Sequence, residues 1–433
     1  MHTVGEERGS SMIYVIKKGD TLSRIAREFG TSAARLRSDN GLLADQPLVP
    51  GQALVVLIPD RTYTVRPGDG LYRISSQTGV PVRELIRLNP TLVQTGTVRA
   101  EEVLTLSLQG EGENLGPFRI NGYAYPHIRP GVLRQAMPFL TELSIFSYGF
   151  REDGTLVPTP DRWLLEEAAR FGADPSMVLT SIDENGQFST TRAARLFQDQ
   201  SLQDVILDNI LTVMKEKGYR ILDSDFEFIR GEDAQAYFSF LRHARDRLHA
   251  KGSRLHVDLA PKTYANQPGL LYEAHDYTVI GEIADQVLLM TYEWGYAYGP
   301  PMAVAPLPQV ERVLRYGVSE IPTEKIQMGI PNYGYDWILP YEKERRATTV
   351  GNQEAVLLAS RMGAAIRFDE TARAPTFQYR QDGVLHEVWF EDARSMQAKI
   401  RLADALGLGG LGIWNLLRPF AQNWAWFSEN LRF

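Results

Sequence analysis

Residues 221–227 read Ile221-Leu222-Asp223-Ser224-Asp225-Phe226-Glu227. Side chains alternate faces along an extended strand, so Asp223, Asp225 and Glu227 share one face and Leu222 and Phe226 take the other. Phe228 continues the apolar set. Three crowded carboxylates repel one another, which raises at least one pKa and leaves a protonated acid near neutral pH. Such a group can serve as a general acid. Strand-like apolar runs of the same kind recur at residues 120–125, 143–148, 177–182, 254–259, 286–292, 325–331 and 410–415. Helical patterns fall between them, for example at 191–217 and 232–251. Eight strands alternating with helices over roughly 300 residues predict an α/β chain closed into a (β/α)8 barrel. Glu227 then lies at the C-terminal mouth, where barrel enzymes place their chemistry. No strand runs into a Gly-x-Gly-x-x-Gly helix start, which argues against a dinucleotide-binding sheet. The interval before the eighth strand is long and has strand-like pieces of its own, so residues 332–392 read as a small α+β insertion on the mouth of the barrel.

The whole chain has 433 residues, enough for two or three domains at roughly 150 residues each. Its 46 basic and 53 acidic residues leave a net charge of −7, which argues against nucleic acid as a partner. Without cysteine there can be no disulfide, no thiol catalysis and no Cys-ligated zinc. The seven histidines lack metal-motif spacing, so neither a metal nor a cofactor is expected. No run reaches the ~18 apolar residues of a membrane span. Residues 1–11 carry no apolar signal-peptide core and read as a disordered start or tag, with Met12 opening the first patterned segment.

Ahead of the barrel lies a repeat. Tyr14-Val-Ile-Lys-Lys-Gly19-Asp20-Thr21-Leu22 recurs 49 residues on as Tyr63-Thr-Val-Arg-Pro-Gly68-Asp69-Gly70-Leu71. Each copy, at about 12–59 and 61–108, predicts a βααβ unit with a Gly-Asp turn before its first helix. Asp20 and Asp69 suit the helix N-cap, and Leu22, Ile25, Ala26 and Phe29 share one helical face. The pattern resembles the LysM module, which binds N-acetylglucosamine-containing glycans. That resemblance implies a shallow sugar groove between Gly19, Asp20, Thr21 and Leu22 and the loop from Pro47 to Gly51, with Gly68 and Asp69 equivalent in the second copy. The second copy departs from the pattern at Gly70 and at Ala100-Glu101-Glu102.

The strand at 221–227 looks like the last three acids of the DxxDxDxE signature of glycoside hydrolase family 18, with Arg220 where the first acid would fall. Met290-Thr-Tyr292-Glu293 resembles the family's Met-x-Tyr-Asp motif, and Trp414 matches its last-strand tryptophan. The family is retaining yet uses no protein nucleophile, because the acetamido oxygen of the substrate attacks the anomeric carbon. The resemblance implies that Glu227 is acid and base, Asp225 orients the acetamide, Asp223 shares a proton with Asp225, Tyr292 donates to the acetamide oxygen and Trp414 floors the sugar. Glu293, Trp294 and Met290, together with Asn332, Tyr333 and Trp337 past the seventh strand, are expected to contact substrate. Asp183 and Glu184 end the third strand as loop caps.

Three further stretches, beginning at Glu273, Met290 and His386, are similar to bacterial spore cortical-fragment-lytic enzymes, which join two LysM modules to a family 18 TIM barrel. The implied activity is hydrolysis of spore cortex peptidoglycan after N-acetylglucosamine, by a monomer associated with the spore or cell wall. Two alternatives stay open: a chitinase using the same residues, and a non-hydrolytic glycan-binding lectin on a degenerate barrel.

Overall fold

The computed structural model describes residues 12–183 and 186–433, with all their side chains except those of Gln94 and Thr95. The expected disordered start at 1–11 and the expected cap at Glu184 lie outside the described residues. Eight parallel strands form the barrel: Arg119–Ala124, Glu142–Phe150, Asp174–Thr180, Ile221–Asp225, Arg254–Leu259, Gln286–Leu289, Ile326–Pro331 and Gly410–Trp414. The eighth pairs with both the seventh and the first, and the first with the second, so the ring closes. Helices pack around it, among them Gln200–Lys217, Ala234–His249, Leu307–Glu320 and Ala393–Ala405. Leu255, Val257 and Leu259 of the fifth strand join the apolar core, while the alternate residues His256 and Asp258 are buried polar groups.

Several expectations need correction. The single helix predicted over 191–217 is two, Thr190–Gln198 and Gln200–Lys217. Asp199 between them is extended, and its carboxylate accepts the N–H of Leu202 and so starts a second helix. The fourth strand stops at Asp225, not Glu227. Phe228 has φ 57° and is 38% exposed, so it does not continue the buried apolar face. The left-handed turn breaks the two-residue alternation there and leaves Glu227 on a loop just past the strand. Arg220 lies just outside the fourth strand. It precedes it, and its guanidinium reaches Asp174 at 3.4 Å.

The insertion is a five-stranded antiparallel sheet in the order Thr348–Val350, Gly334–Leu339, Val384–Trp389, Ala374–Gln381 and Arg367–Asp369, with helix Asn352–Met362. The strand Gly334–Leu339 follows the seventh barrel strand with only Asn332 and Tyr333 between them, so the sequence pattern runs the two elements together.

Each repeat forms a small unit with its own core. The first pairs Met12–Val15 with Ala53–Val56 around helices Leu22–Phe29 and Ala33–Asp39. The second pairs Thr62–Thr64 with Val103–Thr105 and has helices Leu71–Thr78, Val82–Leu88 and Thr91–Thr95. Asp20 is not the N-cap. Thr21 is, its hydroxyl accepting the Arg24 N–H. The Asp20 carboxylate instead closes the turn, accepting the Lys17 N–H at 2.8 Å and the Tyr14 hydroxyl at 2.8 Å. Asp69 does the same with Arg66 and Tyr63, while Gly70 caps its helix with no side chain.

The two units meet the barrel differently. The Pro47 to Gly51 loop of the first lies against the insertion: Ile366 N–H donates to the Pro50 carbonyl at 2.9 Å and Ser360 Oγ to that of Pro47 at 2.8 Å. Arg394 donates to Gly51, where an added Cβ would stand 1.8 Å from the Ile366 oxygen. The second unit docks through a helix instead. Arg83 and Arg87 donate to the Pro138 carbonyl at 2.7 and 2.9 Å, and the Arg87 guanidinium covers the Phe433 ring.

Candidate active site

A cavity of about 660 Å³ opens at the C-terminal mouth of the barrel. Trp414 ends the eighth strand and Glu227 follows the fourth, so the two face each other across an eight-membered ring. Both line the cavity, with Asp225, Met290, Tyr292, Glu293, Trp294 and Tyr333. Phe146, Tyr123 and Tyr125 brace Trp414 edge-on, at ring separations of 5.0, 5.5 and 6.1 Å. Such contacts hold a ring in place for stacking on a sugar.

Beneath Glu227 the acids form a buried column. Asp223 Oδ2 accepts the Tyr123 hydroxyl at 3.0 Å and the Ser144 hydroxyl at 3.2 Å. Burial pushes its pKa up to about 7. Asp225 is raised well above the carboxylate range, first by burial and then by the charges of Glu227 and Asp223. Its Oδ1 is buried with no hydrogen-bond partner among the described residues. Burial also raises Glu227 to about 7, with the Glu293 carboxylate adding to the shift. The column can therefore hold protons at neutral pH and present an acid to the cavity.

Glu293 has φ 69° and accepts hydrogen bonds from the Tyr333 and Tyr335 hydroxyls, the latter at 3.0 Å. These two donors hold the longer side chain against the cavity wall. Two expected substrate contacts are placed otherwise. Trp337 is 1% exposed and off the cavity, and its ring N–H donates to the Gly299 carbonyl at 2.9 Å. Asn332 is also off the cavity, its amide donating to the carbonyls of Asn415 and Arg418. Both side chains point into strand-to-loop packing, because each is needed to tie the insertion or the last loop to the barrel. Asp183 caps its loop by accepting the Gln187 N–H.

Sequence reasoning missed Asp258, Tyr123 and Ser144. Asp258 is buried in the fifth strand, and its Oδ1 lies 2.8 Å from the Tyr123 hydroxyl. The alternation Leu255-His256-Val257-Asp258-Leu259 carried a usable signal, since it sets Asp258 on the inward face. Also missed were Tyr125, Phe146, Tyr272 and Tyr335, aromatic residues of the cavity wall.

In the two repeats the structure gathers Gly19, Asp20, Thr21 and Leu22 at one turn, and Gly68 with Asp69 at its counterpart. Gly19 and Gly68 have φ of 90° and 84°. The facing loop of the first copy is the one held against the insertion, whereas Glu102 of the second closes its own loop by accepting the Arg99 N–H. Among the described residues no group of His, Asp or Glu is arranged to hold a metal, and no helix is long and apolar enough to cross a membrane.

Comparison with known proteins agrees with this geometry. Residues 178–418 match the model of glycosyl hydrolases family 18, and residues 14–57 and 63–107 each match the LysM domain. The chain belongs to glycosyl hydrolase family 18 and is a glycoside hydrolase, with two LysM domains ahead of its catalytic barrel. Both domain types point to glycans containing N-acetylglucosamine.

Within that class it is similar to the cortical fragment-lytic enzymes of Bacillus subtilis and Bacillus anthracis. It is 39% identical to the first over 420 residues, covering 96% of this chain and 97% of that relative. Identity to the second is 38% over 433 residues, with 96% and 98% covered. The crystal structure of the Bacillus cereus spore cortex-lytic enzyme SleL superposes with a TM-score of 0.82 at 38% identity, covering 98% of each chain. A chitinase from Chromobacterium violaceum gives a TM-score of 0.66 at 25% identity over 72% of this chain and 98% of its own.

Proposed function

We propose that this protein hydrolyses the β-1,4 bond that follows N-acetylglucosamine in spore cortex peptidoglycan fragments, with retention and with the substrate's acetamide as nucleophile. The observation that carries the reading is the buried column of acids under a tryptophan-floored cavity, in a chain similar over 96% of its length to a cortical fragment-lytic enzyme. Glu227 protonates the glycosidic oxygen and later activates water. The unpartnered Asp225 Oδ1 accepts the acetamide N–H, which orients the carbonyl oxygen for attack. Tyr292, its pKa far above neutral because it is buried, stays protonated and donates to that oxygen. Positioning and preorganised charge supply most of the rate.

A second cavity of about 350 Å³ supports the cortex substrate over chitin. It adjoins the first through Pro261, Tyr272 and Trp294, and it reaches Gln309 and Arg312. Muramic acid carries a 3-O substituent that chitin lacks, and we propose that this adjoining space receives it. With such a substrate, we propose that the enzyme works at the spore, associated with cortex or wall.

Mass spectrometry of products from muramidase-digested cortex fragments and from chitin oligomers tests the proposal, with wild type and Glu227→Gln run side by side. Cleavage of cortex fragments after N-acetylglucosamine, abolished in the variant, is the expected result. Cleavage of chitin alone would make the protein a chitinase. Binding of both glycans without products would make it a lectin.

A further inference from the structure

The buried column contains one acid more than the signature motif supplies. Asp258 comes from the fifth strand, two residues past His256, the register partner of Asp223, and it meets Asp223 through Tyr123. Tyr123 stands between the two acids, its hydroxyl 3.0 Å from Asp223 Oδ2 and 2.8 Å from Asp258 Oδ1. A phenol has one proton to give. It can donate to only one of these oxygens, so the other contact needs a proton from the carboxyl group itself. Asp223 already accepts from Ser144, and Asp258 lies within hydrogen-bonding reach of Asp223 as well.

Among the described residues, the groups facing Asp258 supply no cation. They are Tyr123 of the first strand, Asp223 and Asp225 of the fourth, Glu227 just past it, Tyr292 past the sixth, and Tyr237 of the helix Ala234–His249. His256, two residues earlier on the same strand, is neutral, since burial lowers its pKa to about 4. Two buried carboxylates at this spacing cannot both be ionised without a counter-charge.

We infer that Asp258 is a positioning residue that stays protonated through the catalytic cycle and, with Tyr123, supplies the hydrogen bonds that keep Asp223 an anion. The order of donation is Asp258 O–H to Tyr123 Oη, then Tyr123 O–H to Asp223 Oδ2, with the Ser144 O–H on the same oxygen. No proton is transferred along this chain. Its effect is that Asp223 carries the negative charge, while Asp225 above it keeps a proton for use toward the acetamide and Glu227. The inference rests on the substrate-assisted reading above.

Two variants and one spectrum test it. With a chromogenic chitobioside as substrate, Asp258→Asn keeps a neutral donor at the same place. Its kcat is expected within about threefold of wild type, with the alkaline limb of the pH profile unmoved. Asp258→Leu removes the donor: kcat should fall about tenfold or more at little change in KM, and the acid limb should move to higher pH as Asp223 becomes harder to ionise. An alkaline limb lowered by about one unit or more in Asp258→Asn would show that a negative charge had been removed, and the inference would be wrong. Wild-type kinetics in Asp258→Leu would overturn it too, and if that variant does not fold, Asp258→Asn decides alone. Infrared difference spectroscopy of wild type against Asp258→Asn at pH 7 needs no turnover. The carbonyl stretch of a protonated carboxyl group must appear for wild type, and its absence refutes the inference even if the chitobioside is never cleaved. Wild type inactive on every N-acetylated substrate would instead fail the functional reading alone.

Discussion

Aspartates in the repeats and aspartates in the barrel are the same side chain put to opposite use. Asp20 and Asp69 close exposed turns, each accepting a backbone N–H and a tyrosine hydroxyl, and their pKa values are lowered, chiefly by that backbone hydrogen bond. Asp223, Asp225 and Asp258 lie inside the barrel, and burial raises all three. Donors that favour the charged form make a carboxylate a structural clamp. Burial among other acids makes it a proton store. A tyrosine hydroxyl is present in both places, so the donor alone does not separate the two roles. What separates them is the surrounding dielectric and the sign of the neighbouring charges.

The comparison breaks first at Glu227. Glu227→Gln should lower kcat by about 10³-fold, within the span of general acid–base catalysis, as read on N-acetylated oligosaccharides. Asp225→Asn should lower it by about 10²-fold, the scale of one preorganised electrostatic contact. Retention of activity in either variant would reduce the column to a structural feature like the turn aspartates.

The next effect is on pH. Glu227 must be protonated to act as acid, so kcat/KM should fall as pH rises through about 7. The same raised pKa has a stability consequence of defined sign. A carboxyl group that ionises at about 7 when folded and near 4.5 when unfolded contributes stability at low pH that is lost as pH rises through that window. Urea unfolding of wild type and Glu227→Gln at pH 5 and pH 8 should show the variant losing less stability across the range, by about 1–3 kcal/mol. The turn aspartates run the other way. Their contribution is present above the ordinary aspartate pKa and is lost only as pH falls below it, so Asp69→Asn should flatten the acid side of the melting profile and leave pH 5 to 8 unchanged.

Docking of the first repeat gives a smaller effect. Gly51 has φ 83° and no space for a Cβ beside Ile366, so Gly51→Ala strains the backbone and the contact together. It should lower the stability of the assembled chain by about 1–3 kcal/mol and expose the 57–61 connection to limited proteolysis. Asp69→Asn should have the smallest effect of all on the barrel. Hydrolysis of a soluble oligosaccharide should stay within about twofold of wild type, because the two sites share no partner.

Most of the barrel was legible because its strands are short apolar runs with a two-residue period, which survives any context. Boundaries were less so. The fourth strand ends at Asp225 and Phe228 turns left-handed soon after, and a bulky residue gives no warning of a positive φ. Thr21 displaced Asp20 at the N-cap because a nearby N–H and the Tyr14 hydroxyl had already claimed the carboxylate. Of the candidate contacts, Trp294, Tyr333 and Trp414 reach the cavity, whereas Trp337 and Asn332 are turned into packing. A residue's place past a strand end says which face of the barrel it is on, not which way it points.

By itself the sequence determined the repeat, the eight-strand alternation and the inward placement of Asp223 and Asp225, since each of these is a matter of spacing along the chain. Only the tertiary structure decided which buried groups meet Asp223. Asp258 and Tyr123 are far from Asp223 in the chain and meet it only when the barrel closes, and proton affinity in a buried site depends on what stands within a few ångströms rather than on what is adjacent in sequence.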